Sequence, residues 1–386
     1  MQLRIVAKYS ATDAGVNHAA SLLLKINVVQ IRPGDCEPAA WSRLTTAVAA
    51  WYPTAMRPDH FSHLADSIIA GKQLDLDQAH ALSKVPDYDL PLLFAAASRV
   101  RHNFFGDRIA LCSIVNAKSG LCAEDCAFCA QSSFHTTGAV TYPLLPQTTL
   151  LEGGRDAAVN GSACYGIVTS GTGISSGEEL SRICAVVQQL TADGSVAPGA
   201  SLGILDQQSL LALKEAGLVT YHHNLETARS YFPQICTTHA YEDDVATVRL
   251  AKQAGLRVCC GGLFGLGETM EQRIELAFTL RELQVDSVPI NFLDPVAGTP
   301  LATVQQLTPL VCLHIISLYR LLLPDCHITV CGGRQSNLRE LQSWIFLAGA
   351  SGVMTGNYLT KEGRRPEDDH RLIADLGLTV TKEFVR

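Results

Sequence analysis

The pattern on which the fold prediction rests is clearest in residues 220–265, which read TYHHNLETARSYFPQICTTHAYEDDVATVRLAKQAGLRVCCGGLFG. The stretch opens with a short β-rich run (220–226), continues with apolar residues at helical spacing (242–255) and closes with a second β-rich run (257–265). A strand, a helix and a second strand in this order are typical of a unit in which the strands are parallel and the helix covers one face of the sheet.

The same alternation extends over most of the chain. Six more β-rich runs occur, most of them separated by helical patterns, at residues 109–115, 165–171, 200–205, 287–293, 327–333 and 352–358. Eight strands with intervening helices predict an α/β fold, a (β/α)8 barrel of the TIM type. A doubly wound open sheet is the alternative, but such a sheet usually has fewer strands and a single crevice. Distinctive residues lie at nearly every strand's carboxyl end, which favours the mouth of a barrel.

The region before the first strand divides into two parts. Residues 61–101 carry apolar side chains at helical spacing, so the barrel domain, residues 58–386, is predicted to begin with a helical segment. Residues 1–57 contain no motif that points to chemistry. We expect them to be a poorly ordered extension or the product of a misassigned start.

Composition and charge exclude several classes of protein. The 30 Lys and Arg residues against 37 Asp and Glu give a net charge of −7, which argues against a nucleic-acid binder. No segment reaches the roughly 18 uninterrupted apolar residues of a membrane-spanning helix. We therefore expect a protein that engages neither nucleic acid nor a membrane.

The cysteine content is the first sign of chemistry. The chain has 13 cysteines, an odd number in a protein too long to need disulfides for stability. This usage predicts a reducing compartment, the cytoplasm, and thiolates that bind metal. Five cysteines outside the motifs are expected to be buried core thiols: Cys36, Cys164, Cys184, Cys312 and Cys326.

The strongest motif is CAEDCAFC, in which Cys122, Cys126 and Cys129 have the spacing C-x3-C-x2-C. Three thiolates on one short loop can hold three irons of a 4Fe–4S cluster and leave the fourth iron open for substrate. A structural zinc site would need a fourth ligand, and the nearest histidine, His135, has no partner at zinc-finger spacing. Zinc and plain core thiols remain the alternatives.

The motif, with an aromatic residue before its last cysteine, resembles the radical S-adenosylmethionine superfamily. The longer string NAKSGLCAEDCAFCAQS (116–132) resembles the biotin synthase family within it. The likeness runs from about residue 60 to the C-terminus through YHHNLET, CTT, VCCGGLFGLGET, VPINFL, GTPL and CGGRQSNL.

The resemblance implies an enzyme that inserts sulfur into dethiobiotin to form biotin, using a radical from S-adenosylmethionine bound to the open iron. It also implies a flavodoxin- or ferredoxin-like electron donor, a sulfur-delivery system and a homodimer. One alternative is another radical enzyme of the same branch, of the hydrogenase-maturation or methylornithine-forming type. A non-catalytic iron–sulfur protein is the other, and it would need four cysteines per cluster.

The resemblance also implies roles for the residues at which the motifs match. It implies no residue that acts as a catalytic acid or base. The resemblance implies that the cofactor contacts Thr169, Ser170, Gly171, Asn224, Glu226, Gly265, Leu266 and Gly267. It implies that the substrate contacts His222, Asn224 and Asn291.

The sequence departs from the family's pattern at the ligands of the auxiliary cluster. Well-known members hold a 2Fe–2S cluster with three cysteines and one arginine, and here only Cys259 and Arg334 match. The other two ligand positions hold Gly166 and Gly199, which offer no side chain to a metal.

Other cysteines are available near that position. We expect an auxiliary cluster, 2Fe–2S or a variant, bound by Cys112, Cys259 and Cys331, with Cys236 or Arg334 completing the set. Inert buried thiols are the alternative.

A second departure is Asp244, where many relatives carry an arginine that meets the methionine carboxylate. Either Arg249, a little over one helical turn further on, or the iron alone would then hold that carboxylate.

Overall fold

Three helices precede the sheet in the computed structural model, which describes residues 58–174 and 177–383. They are α1 Pro58–Ile69, α2 Leu76–Leu82 and α3 Leu90–Phe105. Helix α2 begins with a capping box, since Asp75 accepts a hydrogen bond from the Gln78 amide and the Gln78 side chain accepts one from the Asp75 amide. The predicted N-terminal helical segment is confirmed, whereas the predicted extension, residues 1–57, lies outside the described residues.

Within the described residues ten strands follow, and all their pairings are parallel. They are β1 Arg108–Lys118, β2 Cys164–Thr169, β3 Ala197–Ser201, β4 Thr220–His222, β5 Arg257–Cys259, β6 Gly262–Phe264, β7 Ser287–Phe292, β8 His327–Val330, β9 Gly352–Met354 and β10 Thr379–Thr381. The order runs from β1 through β5 to β7, β8 and β9, and β9 pairs with β1. The sheet is therefore a closed barrel, and the predicted (β/α)8 fold is confirmed.

The fifth barrel strand is interrupted. The sequence predicts one strand over 257–265, but β5 ends at Cys259 and β6 begins at Gly262, and both pair with β7. A side chain at Gly261 would collide with the carbonyl oxygen of Pro289, so only glycine allows this close approach of the two backbones. Strand β6 continues the line of β5, which keeps the number of barrel positions at eight.

Helices alternate with the strands on the outside of the barrel. They are α4 Gln147–Val159, α5 Gly177–Asp193, α6 Gln207–Glu215, α7 Tyr241–Gln253, α8 Met270–Glu282, α9 Pro309–Leu322, α10 Arg334–Leu338, α11 Trp344–Leu347 and α12 Pro366–Ala374. Helix α8 begins where Thr269 accepts from the Gln272 amide, and α9 where Thr308 accepts from the Val311 amide. None of the helices in the described part of the chain is long and apolar enough to cross a membrane.

Candidate active site

The three motif cysteines lie on the loop that follows β1. The loop folds back on itself, because the Cys122 amide donates to the Gln131 carbonyl at 3.0 Å and the Ser133 amide donates to the Cys122 carbonyl at 2.8 Å. All three thiols are half-buried and free of disulfides. Burial raises the pKa of Cys129, so its free thiol stays protonated and releases the proton when it binds a metal. The donor set fits a 4Fe–4S cluster with one open iron.

A second segment, residues 235–239, clamps this loop. The Ala127 amide donates to the Ile235 carbonyl at 2.8 Å, and the Thr237 amide donates to Asp125 Oδ1 at 2.8 Å. Cys236 belongs to this segment, and its sulfur lies 3.9 Å from Cys126 Sγ. The structure therefore places Cys236 beside the motif cysteines.

A buried chain of acids and histidines ties both segments to the barrel. Glu124, within the motif, hydrogen-bonds to Thr172 and Thr238, and its Oε2 lies 2.6 Å from His239 Nδ1. The opposite ring nitrogen of His239 lies 3.3 Å from Asp244 Oδ2, and His223 Nε2 lies 2.8 Å from Asp244 Oδ1. The cluster loop, the loop after β2 and helix α7 are thus held together by one hydrogen-bonded network.

This network gives the acidic side chain of Asp244 two hydrogen-bond partners. Burial by itself would raise the pKa of Asp244, but hydrogen bonds from His223 and His239 outweigh burial and lower it. Asp244 in turn, followed by Glu124, raises the pKa of His239 to about 10, so His239 is a cation between two carboxylates. Arg249, considered from sequence as a replacement cation, is exposed on α7.

One cavity at the carboxyl end of the barrel brings most of the predicted residues together. It is lined by all three motif cysteines and by predicted cofactor and substrate residues, namely Thr169, Gly171, His222, Asn224, Glu226 and Asn291. Cys331, predicted as an auxiliary ligand, lines it as well.

Three polar strand-end residues in this cavity also hold the barrel. Asn224 Oδ1 accepts from the Gly261 amide at 3.2 Å, and Asn291 links the Gly332 amide to the Gly262 carbonyl. Burial, followed by the charge of Asp244, raises the pKa of Glu226 to about 7. These residues present amide and carboxyl groups at fixed positions, as recognition of a polar ligand requires.

The remaining predicted cofactor residues lie in turns. Ser170 hydrogen-bonds to the Gly120 carbonyl at 2.7 Å and joins the loop after β2 to the cluster loop. The amides of Gly265 and Leu266 donate to the Glu268 carboxylate at 2.9 and 2.7 Å. Gly267 has φ +112°, and a side chain there would press on the Tyr231 hydroxyl.

A second group of cysteines lies inside the barrel. In the strand register Cys112 is opposite Cys164, and Cys259 is opposite His222. Burial and then the neighbouring Cys259 thiol raise the pKa of Cys112 to about 12. Cys164 and Cys331 are also buried, and each interacts electrostatically with Cys112 and Cys259. We call these four residues the interior thiols.

Cys164 is the residue that sequence reasoning missed. It lies two positions before Gly166 on β2, and side chains two apart on a strand point to the same face. That spacing was the available signal, because Gly166 marks a position that faces the barrel interior. The sequence predicted a buried thiol at Cys164, and the burial is confirmed, but its place inside the barrel was not predicted.

Gly199 makes room for His222. A β-carbon at Gly199 would collide with His222 Nε2 and lie 2.9 Å from Cys164 Sγ, and one at Gly166 would lie 3.8 Å from His222 Nε2. Burial lowers the pKa of His222 to about 4, so its ring is neutral. The imidazole therefore occupies the space of the cysteine side chain expected at Gly199, and the 2Fe–2S ligand set of three cysteines and one arginine does not fit.

We predict that Gly199→Cys destabilises the protein. Forcing a side chain against His222 should lower the free energy of unfolding by about 1–3 kcal/mol, the usual effect of overpacking. Combining it with His222→Asn, which shortens the opposing side chain, should restore part of the loss. Urea denaturation of the two single variants and the double variant measures this coupling, and wild-type stability of Gly199→Cys would contradict it.

The guanidinium nitrogens of Arg334 donate their hydrogen bonds to other residues of the protein. Its Nη2 lies 2.6 Å from Asp369 Oδ2, its Nη1 donates to Gln342 Oε1 at 2.7 Å and its Nε donates to Tyr358 Oη at 3.2 Å. Both members of the Arg334–Asp369 pair are buried. The guanidinium thus anchors helix α12 and lies near Cys331, where burial raises the pKa of the thiol and the Arg334 charge opposes that rise only in part.

Asp369→Ala is predicted to destabilise the fold strongly. The change leaves the buried guanidinium without its carboxylate, which should cost about 3–5 kcal/mol. Asp368→Ala removes the adjacent carboxylate on the same helix, which pairs with the exposed Arg365, and should have little effect. Chemical denaturation compares the two variants, and similar losses would show that helix α12, and not the ion pair, is the cause.

A parallel eight-stranded barrel whose first strand leads into a C-x3-C-x2-C loop, with polar strand ends around it, defines a radical S-adenosylmethionine enzyme. Residues 118–280 match the radical SAM superfamily, and residues 289–379 match the biotin and thiamin synthesis associated domain.

Comparison with relatives identifies the family within this class of enzymes. The chain is 69% identical to the biotin synthase of Trichlorobacter lovleyi over 323 residues, which cover 84% of this chain and 97% of that protein. It is 60% identical to the biotin synthase of Geobacter sulfurreducens, over 82% of this chain and 96% of that one. The chain belongs to the biotin synthase family, and it is an enzyme.

Solved structures agree with the barrel fold. A methylornithine synthase superposes with a TM-score of 0.71 at 23% identity, over 82% of this chain and 97% of that one. A maturase of the [FeFe]-hydrogenase gives the same TM-score at 15% identity, over 89% and 79%. At these identities the likeness concerns the fold alone.

Proposed function

We propose that this enzyme converts dethiobiotin to biotin by radical insertion of sulfur, with S-adenosylmethionine as cosubstrate. The observation that carries the proposal is the shared cavity, in which the motif cysteines, polar strand ends and an interior thiol, Cys331, line one space. Activation of the substrate and delivery of sulfur both need access to the same bound molecule.

The predicted site residues would bind the cluster, the cosubstrate and the substrate separately. Cys122, Cys126 and Cys129 would hold three irons of a 4Fe–4S cluster, which together with S-adenosylmethionine supplies a carbon radical that removes hydrogen. Three further sets of residues would bind the cosubstrate and the substrate. The cosubstrate would be contacted by Thr169, Ser170, Gly171, Gly265, Leu266 and Gly267. The ribose of the cosubstrate and the ureido ring of the substrate would be contacted by Asn224 and Glu226. The substrate would also be contacted by His222 and Asn291. Because the cavity lies at the barrel mouth among buried side chains, it limits the water that a radical could attack.

The interior thiols would hold the auxiliary cluster. Cys112, Cys259 and Cys331 are retained from the sequence prediction, and Cys164 completes four thiolates, the ligand number of common iron–sulfur clusters. Cys236 is left out because it lies beside Cys126, and Arg334 because its donors are taken. Such a cluster would supply inorganic sulfide next to the substrate cavity.

The partners are those that the family implies, and the cysteines bear on the location. A flavodoxin- or ferredoxin-type protein would deliver the electron, a sulfur-delivery system would restore the cluster, and a homodimer is expected from the family. A cytoplasmic site is supported by the free state of all twelve described cysteines.

An anaerobic single-turnover assay tests the proposal. The reconstituted enzyme receives dethiobiotin, S-adenosylmethionine and a reductant, and Mössbauer spectroscopy counts iron species before and after. Biotin formed as the auxiliary signal disappears is the expected result. Cleavage of S-adenosylmethionine without biotin would overturn the substrate assignment, and biotin without change in the auxiliary iron would overturn the role of the interior thiols.

A further inference from the structure

Cys126 and Cys236 bring two thiols together at the mouth of the barrel. Their sulfurs lie 3.9 Å apart, and both residues line the cavity that brings the predicted site residues together. Cys126 is a predicted ligand of the 4Fe–4S cluster, whereas Cys236 belongs to neither proposed set of ligands. The reaction proposed above therefore gives the contact between these two thiols no role.

The backbones of the two cysteines are close enough for a disulfide. The Ala127 amide, next to Cys126, donates to the Ile235 carbonyl, next to Cys236, at 2.8 Å. Neighbouring chain segments joined by such a bond lie roughly 5 Å apart. A disulfide joins cysteines whose Cα atoms are about 4.4–6.8 Å apart. Bond formation therefore needs only rotation of the two side chains.

A second pair of contacts fixes the register of the two segments. On the other side of the cysteines, the Thr237 amide donates to Asp125 Oδ1 at 2.8 Å, and the Thr237 hydroxyl donates to the same carboxylate. Each cysteine is thus flanked on both sides by a residue that is bonded to the opposite segment. Cys126 and Cys236 are therefore held directly opposite each other.

We propose that Cys126 and Cys236 form a reversible disulfide in enzyme that has lost its 4Fe–4S cluster, and that this bond stops a new cluster from loading until a thiol reduces it. Bound iron and the disulfide exclude each other, because both need the Cys126 sulfur. The inference rests on the cluster that defines this enzyme class and not on the identity of the substrate.

The step is a thiol–disulfide exchange with a small disulfide such as oxidised glutathione. One protein sulfur attacks it, releases one glutathione and forms a mixed disulfide, and the second protein sulfur then releases the other glutathione. Two protein thiols are oxidised, the small disulfide is reduced, and the two protons pass to the released thiolates. Cys236 is only 4% exposed, so the oxidant reaches the pair through the cavity at the half-buried Cys126.

Such a bond protects a motif cysteine that has no iron. An unpaired thiol can be oxidised beyond sulfenic acid to sulfinic and sulfonic acids, whereas a disulfide returns to two thiols on reduction. Paired with Cys236, Cys126 stays recoverable for the next cluster.

The test is peptide mapping of the full-length enzyme after a chelator has removed the cluster anaerobically and oxidised glutathione has been added. Trypsin leaves the three motif cysteines in one peptide, residues 119–155, and Cys236 in another, residues 230–249. Mass spectrometry should find these two peptides cross-linked, with fragmentation placing the bond at Cys126. Enzyme that keeps its cluster during the same treatment should show no cross-link.

Iron uptake from a loaded iron–sulfur scaffold protein, in buffer free of small thiols, is the second readout. The cross-linked enzyme should take up iron only after it has been treated with dithiothreitol and desalted. Cys184→Ser, at a half-buried thiol on α5, is the matched control and should form the cross-link and lose iron uptake as the wild type does.

Several results would overturn the proposal. Absence of the cross-link, with or without a bond inside peptide 119–155, would show that the pair does not react. A cross-link from Cys236 to Cys122 or Cys129 would show that the contact does not select the partner, and its loss in Cys184→Ser would show that a third thiol is needed. Iron uptake by the cross-linked enzyme without dithiothreitol would contradict the control of loading. Because no substrate is present, failure here leaves the proposed reaction untouched.

Discussion

The Cys129→Ser variant is expected to lose its 4Fe–4S cluster and with it the cleavage of S-adenosylmethionine. Only three thiolates of the loop are available to hold the cluster, and a serine hydroxyl does not ionise to replace one of them at neutral pH. The loss of activity should exceed the roughly 10- to 100-fold effect of removing a group that merely supports a metal ligand. Iron and sulfide analysis, together with 5′-deoxyadenosine formed after reduction, measures the effect.

Cys184→Ser makes the same chemical change at a half-buried thiol of α5 and serves as the control. It should keep the iron content and the cleavage rate of the wild type. A Cys129→Ser protein that still binds four irons per motif and cleaves S-adenosylmethionine would show that another residue completes the ligand set.

The barrel was predictable because its signals are local. Each strand and each helix has its own periodicity, and eight repeats of the alternation leave few architectures. Two details escaped. The break between Cys259 and Gly262 depends on the approach of Gly261 to Pro289, a contact between distant residues. Strand β10, residues Thr379–Thr381, is short and pairs only with the start of β1, so its sequence carries little pattern.

The candidate site likewise has a part that the sequence predicts and a part that it does not. The motif cysteines lie within eight residues, and their spacing alone points to a cluster. The interior thiols come from four different strand regions, and only the register of the closed barrel puts Cys112 opposite Cys164. Likewise, the partners of Asp244 are His223, directly after β4, and His239, in the segment 235–239, and no spacing rule predicts that these residues meet.

Cys259→Ala is expected to separate the two halves of the reaction. Removing one interior thiol should lower the iron bound by the auxiliary site and reduce biotin formation to background. Cleavage of S-adenosylmethionine should persist, because the loop with Cys122, Cys126 and Cys129 is unchanged. Mössbauer spectroscopy for the iron and a paired assay of 5′-deoxyadenosine and biotin record the three quantities on one sample.

The adjacent Cys260 provides the control. Both thiols are buried, but Cys260 packs in the hydrophobic core, whereas Cys259 lies among the interior thiols and opposite His222. Cys260→Ala therefore removes a sulfur at almost the same place in the chain without touching the proposed ligands, and it should keep auxiliary iron and biotin formation. Equal losses in both variants would point to damage of the interrupted fifth strand. Full biotin formation by Cys259→Ala would remove Cys259 from the ligand set and, with it, the basis for a cluster held by four thiolates inside this barrel.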